Sequence, residues 1–375
     1  MSSGRLRSGV RRLKNLVAEP AAAPQKVART GEAILERRLR PIRARRSAGH
    51  LYLVRGKARP RTDRDQVIAI SVMRNSEHLL DDFLEHHRSL GVDHFVLTDT
   101  GSTDSTMDIA TSYPDVTLCR TDLPFRRYFV ALKQMLVPRF GAGGWSLLVD
   151  MDELFDYPSS ASVDLARLVA YLNLNGFTAV VAHMLDMFSD ARVTDETPEP
   201  SGVKNAYRLY DATAVQRFDY PARFHNRLPA DVPICTYYGG IRTEVFGGKL
   251  FRLTKHPLMF IGSGLRVTDD HQVSNASLAD VSGVLRHYKF TSRFRRQIRD
   301  AMIHEQYVDR SLAYKFFDAK LRNDPDLKLA SERSRELISA DQLVDEGFLV
   351  ASDRYRRWAD GRIEAGARPP QPREE

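Results

Sequence analysis

Between Val67 and Thr111 the spacing of apolar residues changes period three times, and that alternation limits the folds open to the chain. Val67–Ile68–Ala69–Ile70–Ser71–Val72 is a β-rich apolar run. Leu79, Leu80, Phe83, Leu84 and His87 then recur at three- and four-residue intervals, which is the period of one helix face. Gly91 stands where a helix C-terminal glycine belongs. His94–Phe95–Val96–Leu97 makes a second strand, and a turn rich in capping residues, Thr98 to Asp104, leads into a helix over Met107–Thr111. Strand, helix, strand and helix at this spacing predict an α/β fold with parallel strands joined by right-handed crossovers. In such sheets ligands bind outside the carboxyl ends of the strands.

A third apolar run, Leu147–Leu148–Val149, ends abruptly in Asp150–Met151–Asp152–Glu153. Carboxylates are costly to bury unpaired, so two of them one residue apart at a strand end suggest a bound cation. Residues i and i+2 of a strand project to one face, which would let Asp150 and Asp152 share one hard divalent ion, Mn²⁺ or Mg²⁺. A strand running into an acidic turn is the competing reading. The loops of Arg74, Asp99 and Asp150 all fall on the same predicted sheet edge.

The ordered set Val-x-Arg-Asn-x-Glu, Gly-Val-Asp-His-Phe, Asp-x-Gly-Ser-Thr-Asp and Leu-Leu-Val-Asp-x-Asp-Glu resembles glycosyltransferases of the family 2 type. More narrowly it is similar to the bacterial branch called glycosyltransferase 2-like family 4, related to family 92. Gly239–Gly240–Ile241–Arg242, Phe246–Gly247, Leu253-x-Lys255-x-Pro257–Leu258, His271 and Leu285–Arg286–His287–Tyr288–Lys289–Phe290 follow in that branch's order. The resemblance covers residues 65 to 315. It departs at Val267–Thr268–Asp269–Asp270, where small hydroxyl residues are expected.

The fold implied is GT-A, a Rossmann-like α/β sandwich with a mostly parallel central sheet, here carrying a helical C-terminal extension. The resemblance implies that Arg74, Asn75 and Glu77 line the nucleotide pocket, with Asp99 near the uracil or ribose. Asp150 would face the donor ribose or the metal, Asp152 would be the principal metal ligand, and Glu153 would orient the loop. Asp104 is expected to cap the following helix. Within the helical stretch Phe125 to Leu136, Lys133 and Arg127 are candidate cations toward the donor. His287 and Lys289 share a face if extended; His287 is the expected late metal ligand and Lys289 the cation for the departing diphosphate. His271 competes for either role. The resemblance implies an inverting single displacement, with Asp270 and Asp269 as the first choices for the base and Glu244 in reserve. The donor would be a nucleotide sugar, leaning to UDP, and the acceptor a glycan or lipid-linked hydroxyl.

Charge is placed unevenly. Residues 1–60 hold 16 Lys and Arg against Glu19, Glu32 and Glu36, so this stretch carries +13 and the remainder −5, within a net of +8. The tail is expected to be flexible, and competing with a merely solvated role is peripheral contact with an anionic membrane, at up to ~1 kcal/mol per basic residue. Nucleic-acid binding is not expected, since no aromatic-rich basic motif accompanies the charge. Cys119 and Cys235 form neither a metal pattern nor a disulfide framework. With no signal peptide and no apolar run long enough to span a bilayer, a cytoplasmic location is expected, with the inner membrane face as its peripheral variant.

The GT-A domain is expected over 61–310 and a helical extension over 311–375, with helices at Arg293–Ala301, Glu305–Leu321, Leu327–Leu337 and Asp341–Trp358. Two other functional classes fit parts of the pattern. A sugar nucleotidyltransferase would want a glycine-rich phosphate loop after the first strand, and Ser71–Val72–Met73–Arg74–Asn75 has no glycine. A non-catalytic binding shell predicts loss of the paired carboxylates or the late histidine, and Asp150, Asp152 and His287 are all present.

Overall fold

The computed structural model describes residue 43 and residues 48–60, 63–196, 202–262, 264–304 and 308–362. Most of the basic tail, residues 1–42, lies outside the described residues.

Nine strands make the central sheet, numbered here along the chain: β1 Leu51–Arg55, β2 Val67–Met73, β3 His94–Asp99, β4 Val116–Thr121, β5 Trp145–Leu148, β6 Glu153–Asp156, β7 Ala179–Asp186, β8 Thr254–Phe260 and β9 Gly283–His287. Their order across the sheet is β1-β4-β3-β2-β5-β8-β7-β9-β6. The pairs β4/β3, β3/β2, β2/β5 and β7/β9 are parallel, and β1/β4, β5/β8, β8/β7 and β9/β6 antiparallel. Six strands (β2, β3, β4, β5, β7 and β9) therefore point one way, giving the mostly parallel α/β sheet expected. Their apolar composition follows from burial on both faces. In β2, Val67, Ala69 and Met73 enter one core cluster while Ile68, Ile70 and Val72 enter the other. The helices Leu80–Ser89 and Leu165–Leu174 cover the first face, and Phe125–Gly141 covers the second. Gly91, at φ +99°, ends the first of these helices in a conformation that a side chain would oppose.

The connections from β2 run outward through β3 and β4, and β5 then returns to the other side of β2. This reversal opens a crevice at the carboxyl ends of β2 and β5, where Arg74 and Asp150 follow their strands. A ligand site is favoured there by topology alone.

Four features differ from expectation. The last part of the tail drawn over 1–60 belongs to the sheet, since Leu51–Arg55 pairs with β4. Leu327–Leu337 is not a helix: Leu327 and Leu329 are both buried in one cluster two residues apart, the spacing of extended chain, and Arg335–Glu336 pairs with Leu209–Tyr210. The stretch Asp341–Trp358 breaks at Gly347 (φ +73°) into helices Ala340–Asp345 and Asp353–Ala359, each capped by its own serine, Ser339 and Ser352. The division at 310/311 also has no counterpart in packing, because Tyr314 and Phe317 share a cluster with Phe246, Phe290 and Phe294. No helix among the described residues is long and apolar enough to cross a membrane.

Candidate functional site

A cavity of about 280 Å³ opens at the crevice. Arg74 and Asn75 from the loop after β2, Asp150 and Asp152 after β5, Lys255 from β8, and His287 and Lys289 at the end of β9 contribute to its walls, together with His271. A smaller cavity of about 120 Å³ adjoins it, shares Arg74, Asn75, His78 and Gln297, and adds Glu77 and Arg293.

The acidic segment is a turn, not a strand. Glu153 donates its backbone N–H to the Asp150 carbonyl at 3.0 Å, and its own carboxylate accepts from the Asp150 N–H at 3.1 Å. The two aspartates meet different partners. Asp150 is gripped by two buried ammoniums, with Lys133 Nζ 2.7 Å from Oδ1 and Lys255 Nζ 2.7 Å from Oδ2. Lys255 also reaches Glu153 Oε1 at 2.6 Å. Burial would raise the Asp150 pKa, but the two lysines overcome it and hold the group well below the usual carboxylate range. Glu153 moves the other way, raised by burial against the pull of Lys255. Lys255 stays charged because Asp150 and Glu153 outweigh the burial that disfavours its ammonium.

Asp152 faces a different set: His287 Nε2 at 3.4 Å and Lys289 Nζ at 3.7 Å. Burial opposes its ionisation, yet His287 and then Lys289 bring its pKa below the usual range. His287 is oriented from behind. Its Nδ1 lies 2.6 Å from Asp186 Oδ1, and Asp186 in turn takes Arg242 Nε at 2.8 Å. With Nδ1 donating to Asp186, Nε2 is left to face Asp152 and the cavity.

These positions decide which residues fit a divalent ion. Among the described residues, no three His, Cys, Asp or Glu side chains form a ready ligand set. Asp152 and His287 Nε2 fit: they are adjacent, face the cavity, and the histidine is backed by a carboxylate as metal-ligating histidines commonly are. Asp150 does not fit. Both its oxygens are held by ammoniums, an arrangement that does not favour the expected sharing of an ion with Asp152.

The remaining expected residues divide between the cavity and its frame. Arg74, Asn75 and Lys289 line the cavity. Asn75 sits at φ +52° and accepts the Thr103 N–H at 2.8 Å, tying the two loops together. Glu77 lies in the smaller cavity, accepting from Ser105 N at 3.1 Å and paired to Arg293 at 3.0 Å. Asp99 lines neither cavity; its buried carboxylate accepts the Gly101 and Ser102 N–H groups at 2.9 and 3.1 Å and so shapes the loop. Lys133 reaches Asp150 and not the cavity wall. Asp104 stands one position before the N-cap Ser105, accepts from Thr106 N at 3.1 Å, and lines the smaller cavity.

Of the expected bases, Glu244 is removed from the site, paired on the surface with Arg333 at 2.9 Å. Asp269 is bound to Arg252 at 2.8 Å and accepts the His271 N–H at 2.8 Å. Asp270 stands beside His271, 3.6 Å from its Nε2. Lys255, Asp186 and Arg242 carry site geometry that the residue patterns did not assign. A lysine inside an apolar strand and an aspartate closing an apolar run were the signals, because charges at such places are seldom buried without partners.

No family model and no curated protein is similar to the chain. Among solved structures, it is similar to TarS of S. aureus, with 17% identity, 33% of this chain and 22% of that chain covered, and a TM-score of 0.25. It is also similar to the mannosyltransferase PcManGT from Pyrobaculum calidifontis, in complex with GDP-Man and Mn²⁺, with 16% identity, 90% and 94% of the two chains covered, and a TM-score of 0.30. The chain spans about a fifth of TarS.

Proposed function

We propose that this protein is a GT-A glycosyltransferase of the family 2-like type, akin to glycosyltransferase 2-like family 4 and family 92. It moves a sugar from a nucleotide-sugar donor, with UDP as the first candidate, to a hydroxyl of a glycan or glycolipid, with inversion. One observation carries this reading: a switch-point cavity brings a carboxylate–histidine pair, Asp152 and His287, together with the cations Lys255, Lys289 and Arg74. That set suits a diphosphate whose negative charge grows as the sugar leaves.

Asp152 and His287 Nε2 would hold a divalent ion, Mn²⁺ or Mg²⁺, and Asp186 keeps the histidine turned toward it. When bound, such an ion acts as a Lewis acid on phosphate oxygens. Lys289, anchored 2.8 Å from the Tyr314 hydroxyl, supplies a compact cation on the same wall. Lys255 supplies positive charge from the opposite strand while keeping Asp150 in place. Arg74 and Asn75, shared by the two cavities, would hold the nucleoside end. Acceptor deprotonation then falls to the His271 side of the cavity, beside Asp270.

Calorimetric titration of UDP, GDP and CMP, each with and without Mn²⁺, tests the reading on wild type and Asp152→Ala. The expected result is metal-dependent binding of one diphosphate, lost in the variant. If wild type binds none of the three under either condition, the donor site is refuted and a binding shell for another ligand takes its place. Tight binding that keeps its metal dependence in Asp152→Ala would refute the metal site alone.

The tail of residues 1–60 is proposed to hold the enzyme against an anionic inner membrane face bearing a lipid-linked acceptor. Co-sedimentation of the full chain with phosphatidylserine-containing vesicles, and not with phosphatidylcholine alone, is the outcome this requires.

A further inference from the structure

His271 is surrounded by a network that determines which ring nitrogen carries its proton. Nδ1 lies 3.2 Å from the Thr254 carbonyl, an acceptor only, so Nδ1 must be the donor. Nε2 is then a bare lone pair. The backbone around the ring is pinned on both sides. The Asp269 carboxylate takes the His271 N–H at 2.8 Å, and the His271 carbonyl accepts from His256 Nδ1 at 2.9 Å. His256 is itself set by the Tyr220 hydroxyl, 2.7 Å from its Nε2, and that hydroxyl accepts from Asn226. Burial, reinforced by Lys255, Arg252 and Lys133 against the opposing Asp270, brings the His271 pKa to about 3, so the ring is neutral near pH 7.

The consequence is an unfilled position. Nε2 of His271 and Oδ2 of Asp270 are both acceptors, lie 3.6 Å apart, and have no hydrogen of their own between them. Two lone-pair atoms at that spacing are satisfied by a third group that brings a hydrogen. His271 also lines the cavity that holds Asp152 and Lys289, whereas Asp270 borders a small void of about 10 Å³ behind it.

Resting on the function proposed above, we infer that His271, not a carboxylate, is the general base that takes the proton of the acceptor hydroxyl, with Asp270 as its positioning partner. The acceptor oxygen forms a bond to the sugar C1 as the C1–O bond to diphosphate breaks, and the bonding pair leaves with the phosphate. The hydroxyl proton passes to Nε2. The resulting imidazolium is doubly protonated between the Thr254 carbonyl and the Asp270 carboxylate, which act against the burial and the nearby cations that disfavour its charge. The proton then returns to solvent, restoring the neutral ring.

The experiment uses the full chain as wild type, His271→Gln and Asp270→Asn. UDP-glucose, UDP-N-acetylglucosamine and GDP-mannose are supplied with Mn²⁺, water serves as the acceptor, and release of nucleoside diphosphate is followed. Calorimetry with the same donors checks that each variant keeps its donor site. The expected result is unchanged donor affinity with kcat lowered about 10²- to 10⁴-fold in His271→Gln, and a smaller loss in Asp270→Asn. A His271→Gln variant that binds donor and turns over within a few-fold of wild type overturns the assignment, as does a larger loss in Asp270→Asn. Imidazole ¹⁵N spectra give a measurement free of turnover: a neutral Nδ1–H tautomer for His271 at pH 7 is required, and an Nε2–H tautomer or an imidazolium overturns it. Failure of wild type to bind any donor refutes the underlying function instead, and is told apart by the calorimetry.

Discussion

Asp150 illustrates how one residue type serves two ends within a single tripeptide. Its carboxylate joins Lys133, 17 positions before it, to Lys255, 105 positions after it. Both lysines are almost wholly buried, at 1% and 5% side-chain exposure. Removing the carboxylate takes away the Lys133 ion pair and leaves Lys255 to Glu153 alone, and breaking buried pairs of this kind costs about 3–5 kcal/mol. Asp150→Asn is therefore expected to lower the unfolding free energy from urea titration by that order, whereas Asp152→Asn, whose cationic partners stand farther off at 3.4 and 3.7 Å, should lose metal affinity with less loss of stability. Equal destabilisation by both would contradict the division of roles. Asn75 makes a smaller case of the same kind. It tolerates the left-handed backbone better than most residues and supplies the acceptor for Thr103. Asn75→Ala should cost about 1–3 kcal/mol for the stranded donor and the backbone, measurable in the same titration.

At the scale of elements, the edge strand β6 has only β9 as a partner, and the helix Leu80–Ser89 completes its hydrogen bonding. His87 Nε2 accepts the Phe155 N–H at 3.2 Å, and His86 Nε2 lies 2.6 Å from the Phe155 carbonyl. Two adjacent histidines thus replace a neighbouring strand. His87 must be neutral to accept at Nε2 while its Nδ1 donates to the Phe83 carbonyl, and burial lowers His86 to about 3 and His87 well below its ordinary value. Their folded values lie under the unfolded 6.5, so the unfolded chain binds the extra protons. Stability is accordingly complete above about pH 6.5 and falls as pH drops from there toward 3, with each histidine adding up to ~1.4 kcal/mol per pH unit. Thermal unfolding followed between pH 7 and 4.5, a window mostly above carboxylate titration, should show the fall. It should be shallower in His86→Leu/His87→Leu, which will be less stable throughout because Phe155 loses both partners. An unchanged slope would sink this account.

For the whole molecule, the C-terminal elements pack into the same body that frames the cavity. Phe317 packs edge-on against Phe246 at 4.8 Å between ring centroids and meets Phe294 at 5.4 Å, while Tyr314 from the same helix reaches Lys289 in the cavity. Further along, Ser352 and Arg354 satisfy the fully buried Asp280 at 2.5 and 2.9 Å. Phe317→Ala is expected to cost about 3–5 kcal/mol and to weaken diphosphate binding several-fold, although its ring does not line the cavity. Calorimetry on the folded variant checks the second effect, and wild-type affinity would show that this helix does not set the site. The site's frame was foreseeable from residues where local pattern and global fold agree, as at Val67–Val72, His94–Leu97 and Leu147–Val149. It was not foreseeable where partners come from afar, as with Lys255 on Asp150 or Asp186 on His287.

Local chemistry by itself determined the strand–helix alternation, the sheet edge on which the polar loops meet, and the presence of acidic and cationic groups there. Each rests on short-range periodicity, or on the cost of burying charge, and both are readable along a few residues. Only the tertiary structure decided the division of labour among those groups. The turn from Asp150 to Glu153 broke the two-residue strand rule and gave the carboxylates different partners. Which one is clamped by two lysines and which faces a histidine depends on residues that sequence distance cannot relate, because through-space electrostatics act only after the chain has folded.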